Sequence, residues 1–219
     1  MNLDIERTRF NMVEQQVRPW DVVDPRVLDV LGSVRREDFV PEASRALAFA
    51  DVELPIGHGE FMMKPVVEGR VLQALAVSSS DSVLEIGTGS GFLTACLAAL
   101  ARDVTSVEIH ADLAAAAEHK LVRAGVTNTR VEVGDALKTF VPSRNFDVIA
   151  VTGAVYREPE AMRRWLAVGG RLFLVRGESP VMEAVLITRV GATAFREESL
   201  FETDLPYLMH AAPPKRFVL

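Results

Sequence analysis

Three glycines at alternate positions close an apolar run in the stretch Ser82-Val83-Leu84-Glu85-Ile86-Gly87-Thr88-Gly89-Ser90-Gly91-Phe92. Val83 to Ile86 reads as a buried strand, and residues 93–101, rich in leucine and alanine, read as a helix directly after the glycines. Strand, glycine turn, helix is the arrangement with which α/β proteins hold a nucleotide-like ligand. The glycines supply positive φ and let ligand atoms approach the backbone, while the helix start offers unpaired N–H groups.

The rest of the chain fits around that turn. From Ser82 onward strands and helices alternate: strands at residues 104–109, 130–133, 147–152 and 171–175, helices at 111–124 and 158–166. The second helix stops at Gly169-Gly170, and residues 182–190 and 194–201 read as an antiparallel pair turning at Gly191. The expected class is α/β, a doubly wound, mostly parallel seven-stranded Rossmann-like sheet. Upstream, residues 4–17 and 25–31 have helical spacing, with Asp24 as N-cap and Pro25 at the first helical position. Pro41 opens a further short helix to Ala48, and residues 65–77 a longer one. One domain is expected: helical cover and a glycine-containing loop over 1–65, core over 66–208, tail over 209–219. The loop, residues 54–65, has prolines at both ends and is long for a mere connection.

Composition narrows the function. The net charge of -6, with both signs interleaved, gives no basic face for nucleic acid. The longest apolar run, residues 92–101, ends at Arg102 and is far too short to span a membrane. A single cysteine, Cys96, inside a predicted helix suits a reducing compartment, and the first residues lack the order of a signal peptide. The cytoplasm is the expected location.

Glu108 ends the second strand about 20 residues beyond the glycines, where such folds keep a carboxylate for ribose hydroxyls. Asp135, ending the third strand beside Ala136, is read either as an acceptor for an adenine amino group or as a loop-turn aspartate. Glu85 is costly to bury unpaired and is expected to face the loop N–H groups or a ligand cation. Gly87-x-Gly89-x-Gly91 is tighter than the spacing typical of NAD enzymes. With Glu85 two residues upstream it points to S-adenosylmethionine, whose adenosine would span Glu108 and Asp135.

Residues 83–92 resemble the first motif of class I methyltransferases, in particular the protein-L-isoaspartate O-methyltransferase family. The segment Val34-Arg35-Arg36-Glu37-Asp38-Phe39-Val40-Pro41-Glu42 is similar to the family's segment before its substrate loop, and residues 51–59 to the start of that loop. Gly134-Asp135, residues 146–154 and Gly169-Gly170-Arg171 sit where the family places later motifs. The resemblance runs from about residue 12 to 208. It implies a methyltransferase fold, with cofactor contacts at Glu85, Gly87, Thr88, Gly89, Gly91, Glu108, Asp135 and Ala136. It also implies methyl transfer to the carboxylate of isoaspartyl residues in damaged proteins, a protein-repair activity.

One departure stands out. The family's Gln-Thr-Ile-Ser-Ala-Pro-like sequence is here Glu60-Phe61-Met62-Met63-Lys64-Pro65. Phe61 and Met63 replace its hydroxyls and cannot donate a hydrogen bond to a carboxylate. A carboxylate nucleophile is ionised at neutral pH and needs no general base, so no catalytic residue is assigned. The candidate substrate-loop residues are His58, Phe61, Met63 and Lys64. The first two of the remaining readings are enzymes: an isoaspartyl methyltransferase, or a relative with another small acceptor. The third is a non-catalytic protein that binds S-adenosylmethionine. No metal site is expected.

Overall fold

The computed structural model describes residues 5–214. Asp4, expected to start the first helix, and residues 215–219 of the tail lie outside the described residues. The first half holds α1 (Ile5–Asn11), α2 (Pro25–Ser33), β1 (Leu54–Gly57), β2 (Glu60–Met62), α3 (Pro65–Leu75), β3 (Ser82–Ile86), α4 (Phe92–Leu100) and β4 (Asp103–Glu108). It is followed by α5 (Ala111–Arg123), β5 (Thr129–Val133), β6 (Phe146–Val155), α6 (Glu160–Arg164), β7 (Leu166–Glu178), β8 (Val181–Arg189) and β9 (Phe195–Thr203).

Seven strands form one sheet in the order β5-β4-β3-β6-β7-β8-β9. The first five are parallel, and β8 and β9 complete the sheet as an antiparallel pair. The class read from the sequence is therefore the one observed. Strand residues of alternate parity feed two cores, as the two-residue period requires. Val83, Val148 and Phe173 join one core with residues of α2, α3 and α4, and Leu84, Ile149 and Leu172 join the other with Met162 and Trp165. The order reverses at β3, which has β4 on one side and β6 on the other. Open α/β sheets bind ligands at such a switch point, outside the carboxyl ends of the strands.

The N-terminal segment is more irregular than its periodicity predicts. After α1 the helix widens into a π-turn over Met12–Val17 and tightens into a 3-10 turn at Arg18–Trp20. Pro19 lacks a donor and crowds the preceding turn, which favours this change of pitch. Asp24 caps α2 as expected, accepting from the Arg26 N–H at 2.9 Å. The segment opened by Pro41 is a 3-10 turn, Glu42–Leu47. Gly169 and Gly170 do not end a helix but lie in an irregular stretch of β7, where its register against β6 shifts between Phe146 and Val148. Residues 54–65 are not an open loop, since β1 and β2 pair as a hairpin. None of the described helices is long and apolar enough to cross a membrane.

Arg36 anchors that hairpin. It is fully buried, donating through Nε to Ala48 O at 2.8 Å and through Nη2 to Met63 O at 2.8 Å, one contact on each side of β1–β2. Its Nη1 pairs with Glu68 of α3, and its guanidinium lies 4.8 Å from the centroid of Phe92, the first residue of α4. Phe39 sets its ring edge on Phe92, and Lys120 of α5 donates to Phe39 O at 2.8 Å. The Arg-Glu-Asp-Phe segment thus buttresses both the hairpin and the helix that follows the glycines. Removing one partner of a buried ion pair strands the other charge. Arg36→Met should therefore lower the unfolding free energy by about 3–5 kcal/mol in urea titration. A loss below about 1 kcal/mol would show that the pair anchors nothing.

Candidate functional site

A cleft opens at the switch point. Its floor is the glycine turn and its roof the hairpin, and it opens to solvent, the empty space within it and its mouth together being about 780 Å³. All three glycines have positive φ: 96° at Gly87, 52° at Gly89 and 86° at Gly91. Their roles differ. A Cβ on Gly89 would stand 3.1 Å from Ile56 Cδ1 of the hairpin, so the roof closes directly on it. A Cβ on Gly91 would stand 3.2 Å from Ala117 Cβ, so this glycine lets α4 pack against α5 and does not line the cleft.

Glu108 braces the turn from the end of β4. Its Oε2 accepts from the Gly89 N–H at 2.8 Å and its Oε1 from the His110 N–H at 3.0 Å. Each oxygen keeps a lone pair for a hydroxyl in the cleft. Across the cleft, Asp135 Oδ1 accepts from the Leu137 N–H at 2.9 Å, a turn that presents Ala136 beside it. Gly87, Gly89, Glu108, Asp135 and Ala136, five of the eight residues expected to hold a cofactor, line this one cleft.

Glu85, Thr88 and Gly91 do not line it. The expectation that Glu85 would face loop N–H groups or a ligand cation is corrected by the geometry. Its Oε2 accepts from the Thr94 hydroxyl at 2.5 Å and the Ser106 hydroxyl at 2.5 Å, while its Oε1 is buried without a hydrogen-bond partner. Thr88 Oγ1 lies 2.6 Å from Ser106 Oγ, which ties the turn to the same knot. The reason is register: successive strand residues point to opposite faces, and position 85 points into the core shared by α4 and β4. Burial pushes the Glu85 carboxyl up to about 7, the two hydroxyls pulling the other way.

The candidate loop residues divide similarly. Phe61 and Met63 line the cleft, Phe61 with 43% of its surface exposed and Met63 with 7%. Lys64 does not line it; it precedes α3, and the Glu53 carboxyl, whose pKa burial pushes up, is pulled part-way back down by the Lys64 charge. His58 sits at the hairpin apex with φ 54°, outside the cleft lining. Its Nε2 lies 2.8 Å from Asp112 Oδ2, and its ring stacks on His110 at 4.1 Å. Sequence reasoning missed Glu53 and Glu60, which line the cleft, and Leu208 and Met209 near the C-terminal end. The tail's contribution depends on a bridge between Ala154 and Tyr207 that no local periodicity announces. Among the described residues no group of three or more histidines, cysteines or acids could hold a metal ion.

Comparison with known proteins decides the family. The profile of the protein-L-isoaspartate(D-aspartate) O-methyltransferase family matches residues 8–197. The chain belongs to this family. It is 40% identical over 195 residues to a protein-L-isoaspartate O-methyltransferase of Magnetococcus marinus, covering 89% of this chain and 85% of that one. A protein of the same name from Methanoculleus marisnigri is 40% identical over 186 residues, 84% of each chain. A candidate protein-L-isoaspartate O-methyltransferase of Plasmodium falciparum, solved in complex with S-adenosyl-L-homocysteine, superposes with a TM-score of 0.80 at 20% identity, covering 91% and 97% of the two chains. At that identity the likeness speaks for the fold.

The Glu85 knot has a measurable signature. A carboxyl whose folded pKa, about 7, exceeds its ordinary 4.5 keeps a proton that the unfolded chain has released. Its stabilising contribution is thus full below 4.5 and is lost as pH rises through 7. Glu85→Gln removes this dependence. Relative to wild type, the variant should gain on the order of 2–3 kcal/mol of unfolding free energy between pH 5 and pH 8, measured by urea titration. Parallel pH profiles would mean that Glu85 is ionised in its pocket.

Proposed function

We propose that the chain is an S-adenosylmethionine-dependent carboxyl methyltransferase acting on isoaspartyl residues of damaged proteins. The observation that carries this reading is the convergence of Gly87, Gly89, Glu108 and Asp135 on one cleft in a chain of the isoaspartyl family. The donor set fits the cofactor. Glu108 has acceptor capacity for the ribose diol, Asp135 and Ala136 would hold the adenine, and the backbone of Gly87 and Gly89 would leave room for the remaining chain. Glu85, Thr88 and Gly91 shape the turn from below. The whole chain works as one domain, with residues 1–65 as cover and substrate hairpin, 66–208 as cofactor core and 209–219 as tail. A buried lone thiol, Cys96, suits the cytoplasm, and the partner is a protein or peptide, not nucleic acid or membrane.

When bound, S-adenosylmethionine supplies a methyl group on a sulfonium; the acceptor oxygen forms the new bond as the S–CH₃ bond breaks, leaving a methyl ester and S-adenosylhomocysteine. The protein's own task is to align and to keep water out. The acceptor carboxylate, with a pKa of about 4, is already ionised, so no side chain has to take its proton. Ile56 closes on Gly89 from the hairpin, and Phe61 and Met63 make the adjoining wall apolar. Positioning of this kind supplies most of the acceleration in a transfer that needs no base. His58 and Lys64, beside but not in the cleft, are placed to meet the rest of a peptide.

A second reading has one observation in its favour: Phe61 and Met63 stand where the family carries hydroxyls, so a less polar acceptor would suit this wall. The two separate in one assay. Methyl-labelled S-adenosylmethionine is incubated with an isoaspartyl peptide and with its normal aspartyl counterpart. Transfer at least tenfold faster to the isoaspartyl form, as a base-labile ester, is the expected result. Absence of transfer from a protein that binds the cofactor would replace it with the second reading.

A further inference from the structure

The segment after β9, from residue 204 into the tail, forms one wall of the cleft, and it lies beyond residue 197, where the family match ends. After β9 the chain turns back across the carboxyl end of β6 and is fastened there. The Ala154 N–H donates to Pro206 O at 2.8 Å, the Leu208 N–H to Ala154 O at 2.9 Å, and the Tyr156 N–H to Ala211 O at 2.8 Å. The Tyr207 hydroxyl donates to Gly177 O at 3.0 Å, and the Ser179 hydroxyl to Asp204 Oδ2 at 2.9 Å. A segment held at so many points is part of the fold.

Its side chains reach the turn and the adenine side. A Cβ on Gly153 would stand 2.8 Å from Leu208 Cδ2, and one on Gly87 3.5 Å from the same atom. Two residues on, His210 Nδ1 lies 2.9 Å from Asp135 Oδ2. Asp135 is therefore held from two sides: by a hydrogen bond from its own turn, through the Leu137 N–H on Oδ1, and by the close approach of the His210 ring to Oδ2. His210 has φ 70°, a left-handed backbone that histidine, like asparagine and aspartate, adopts more readily than most side chains do. Burial does not explain the contact, for 38% of the side chain remains exposed.

We propose that His210 is a positioning residue of the cofactor site: it fixes the Asp135 carboxylate in the orientation that accepts from an adenine amino group, so that the tail helps select an adenine nucleoside. This rests on the reading of Asp135 given under Proposed function. It goes further by assigning part of the cofactor's specificity to a residue outside the matched family region. The carboxylate prefers a 6-amino group, a donor, over a 6-oxo group, an acceptor, only while it is held facing the base.

The test is calorimetric titration of the full chain with S-adenosylhomocysteine and with S-inosylhomocysteine. Wild type should favour the adenosyl ligand. His210→Gly removes the ring without straining the backbone. It should weaken adenosyl binding about tenfold, the loss of the adenine's hydrogen bond to a carboxylate no longer held facing it, and leave inosyl binding unchanged or tighter. His210→Asn places an amide N–H near the Nδ1 position and tolerates the left-handed backbone. It should restore the adenosyl preference to within about twofold of wild type. An undiminished preference in His210→Gly, or no restoration in His210→Asn, overturns the assignment while the cofactor reading stands. Failure of wild type to bind S-adenosylhomocysteine overturns both.

Discussion

A carboxylate sealed inside the sheet determines the shape of the cleft. Glu85 contributes nothing to the wall that a ligand would meet, yet it gathers Thr94 from the helix after the turn and Ser106 from the neighbouring strand, and through Ser106 the Thr88 hydroxyl of the turn itself. Burying a charge costs several kcal/mol unless it is partnered, and here hydroxyls do the partnering in place of a cation. The carboxyl answers by holding its proton to about pH 7. The turn, tied from beneath, keeps Gly87 and Gly89 facing the cleft, and Glu108 secures the Gly89 N–H from the side. The binding surface is therefore largely backbone plus two strand-end acids, each already oriented by bonds to its own surroundings.

The helical N-terminal layer finds its purpose at the opposite edge. Arg36 spans the layer, the hairpin and α3, and rests on Phe92 where α4 begins. A guanidinium suits this task because its fork can serve two carbonyls and a carboxylate at once. The roof over Gly89 is therefore not a free loop but a short hairpin clamped beyond both strands. It also meets α5 and the segment before it, through His58 to Asp112 and the stacked His58–His110 rings.

Much of the fold was legible because parallel strands buried on both faces read as apolar runs, and Val83 to Ile86 and Val148 to Val151 are such runs. The strand-end acids were legible for the same reason: Glu108 and Asp135 interrupt the pattern where a strand stops. Glu85 was recognised as exceptional but aimed in the wrong direction, since which face a strand residue takes depends on register with neighbours, not on its own neighbourhood. The hairpin went unread because its strands have four and three residues and one contains Pro55, which cannot donate to a ladder. Gly91 shows why glycine motifs are hard to divide by eye: a glycine serves equally where a ligand or, as here with Ala117, a helix makes the close approach. The tail was invisible for a different reason: its contacts with β6 join residues more than fifty positions apart, and no local pattern encodes them.

The central claim is that this cleft holds S-adenosylmethionine over Gly87 and Gly89, between the acids at the ends of β4 and β5. A crystal structure of the protein grown with S-adenosylhomocysteine tests it most directly. The account predicts density with the ribose hydroxyls on Glu108, the base beside Asp135 and Ala136, and Glu85 still bonded to Thr94 and Ser106 beneath the turn. An empty cleft at saturating ligand, or a ligand seated elsewhere on the sheet, would contradict it.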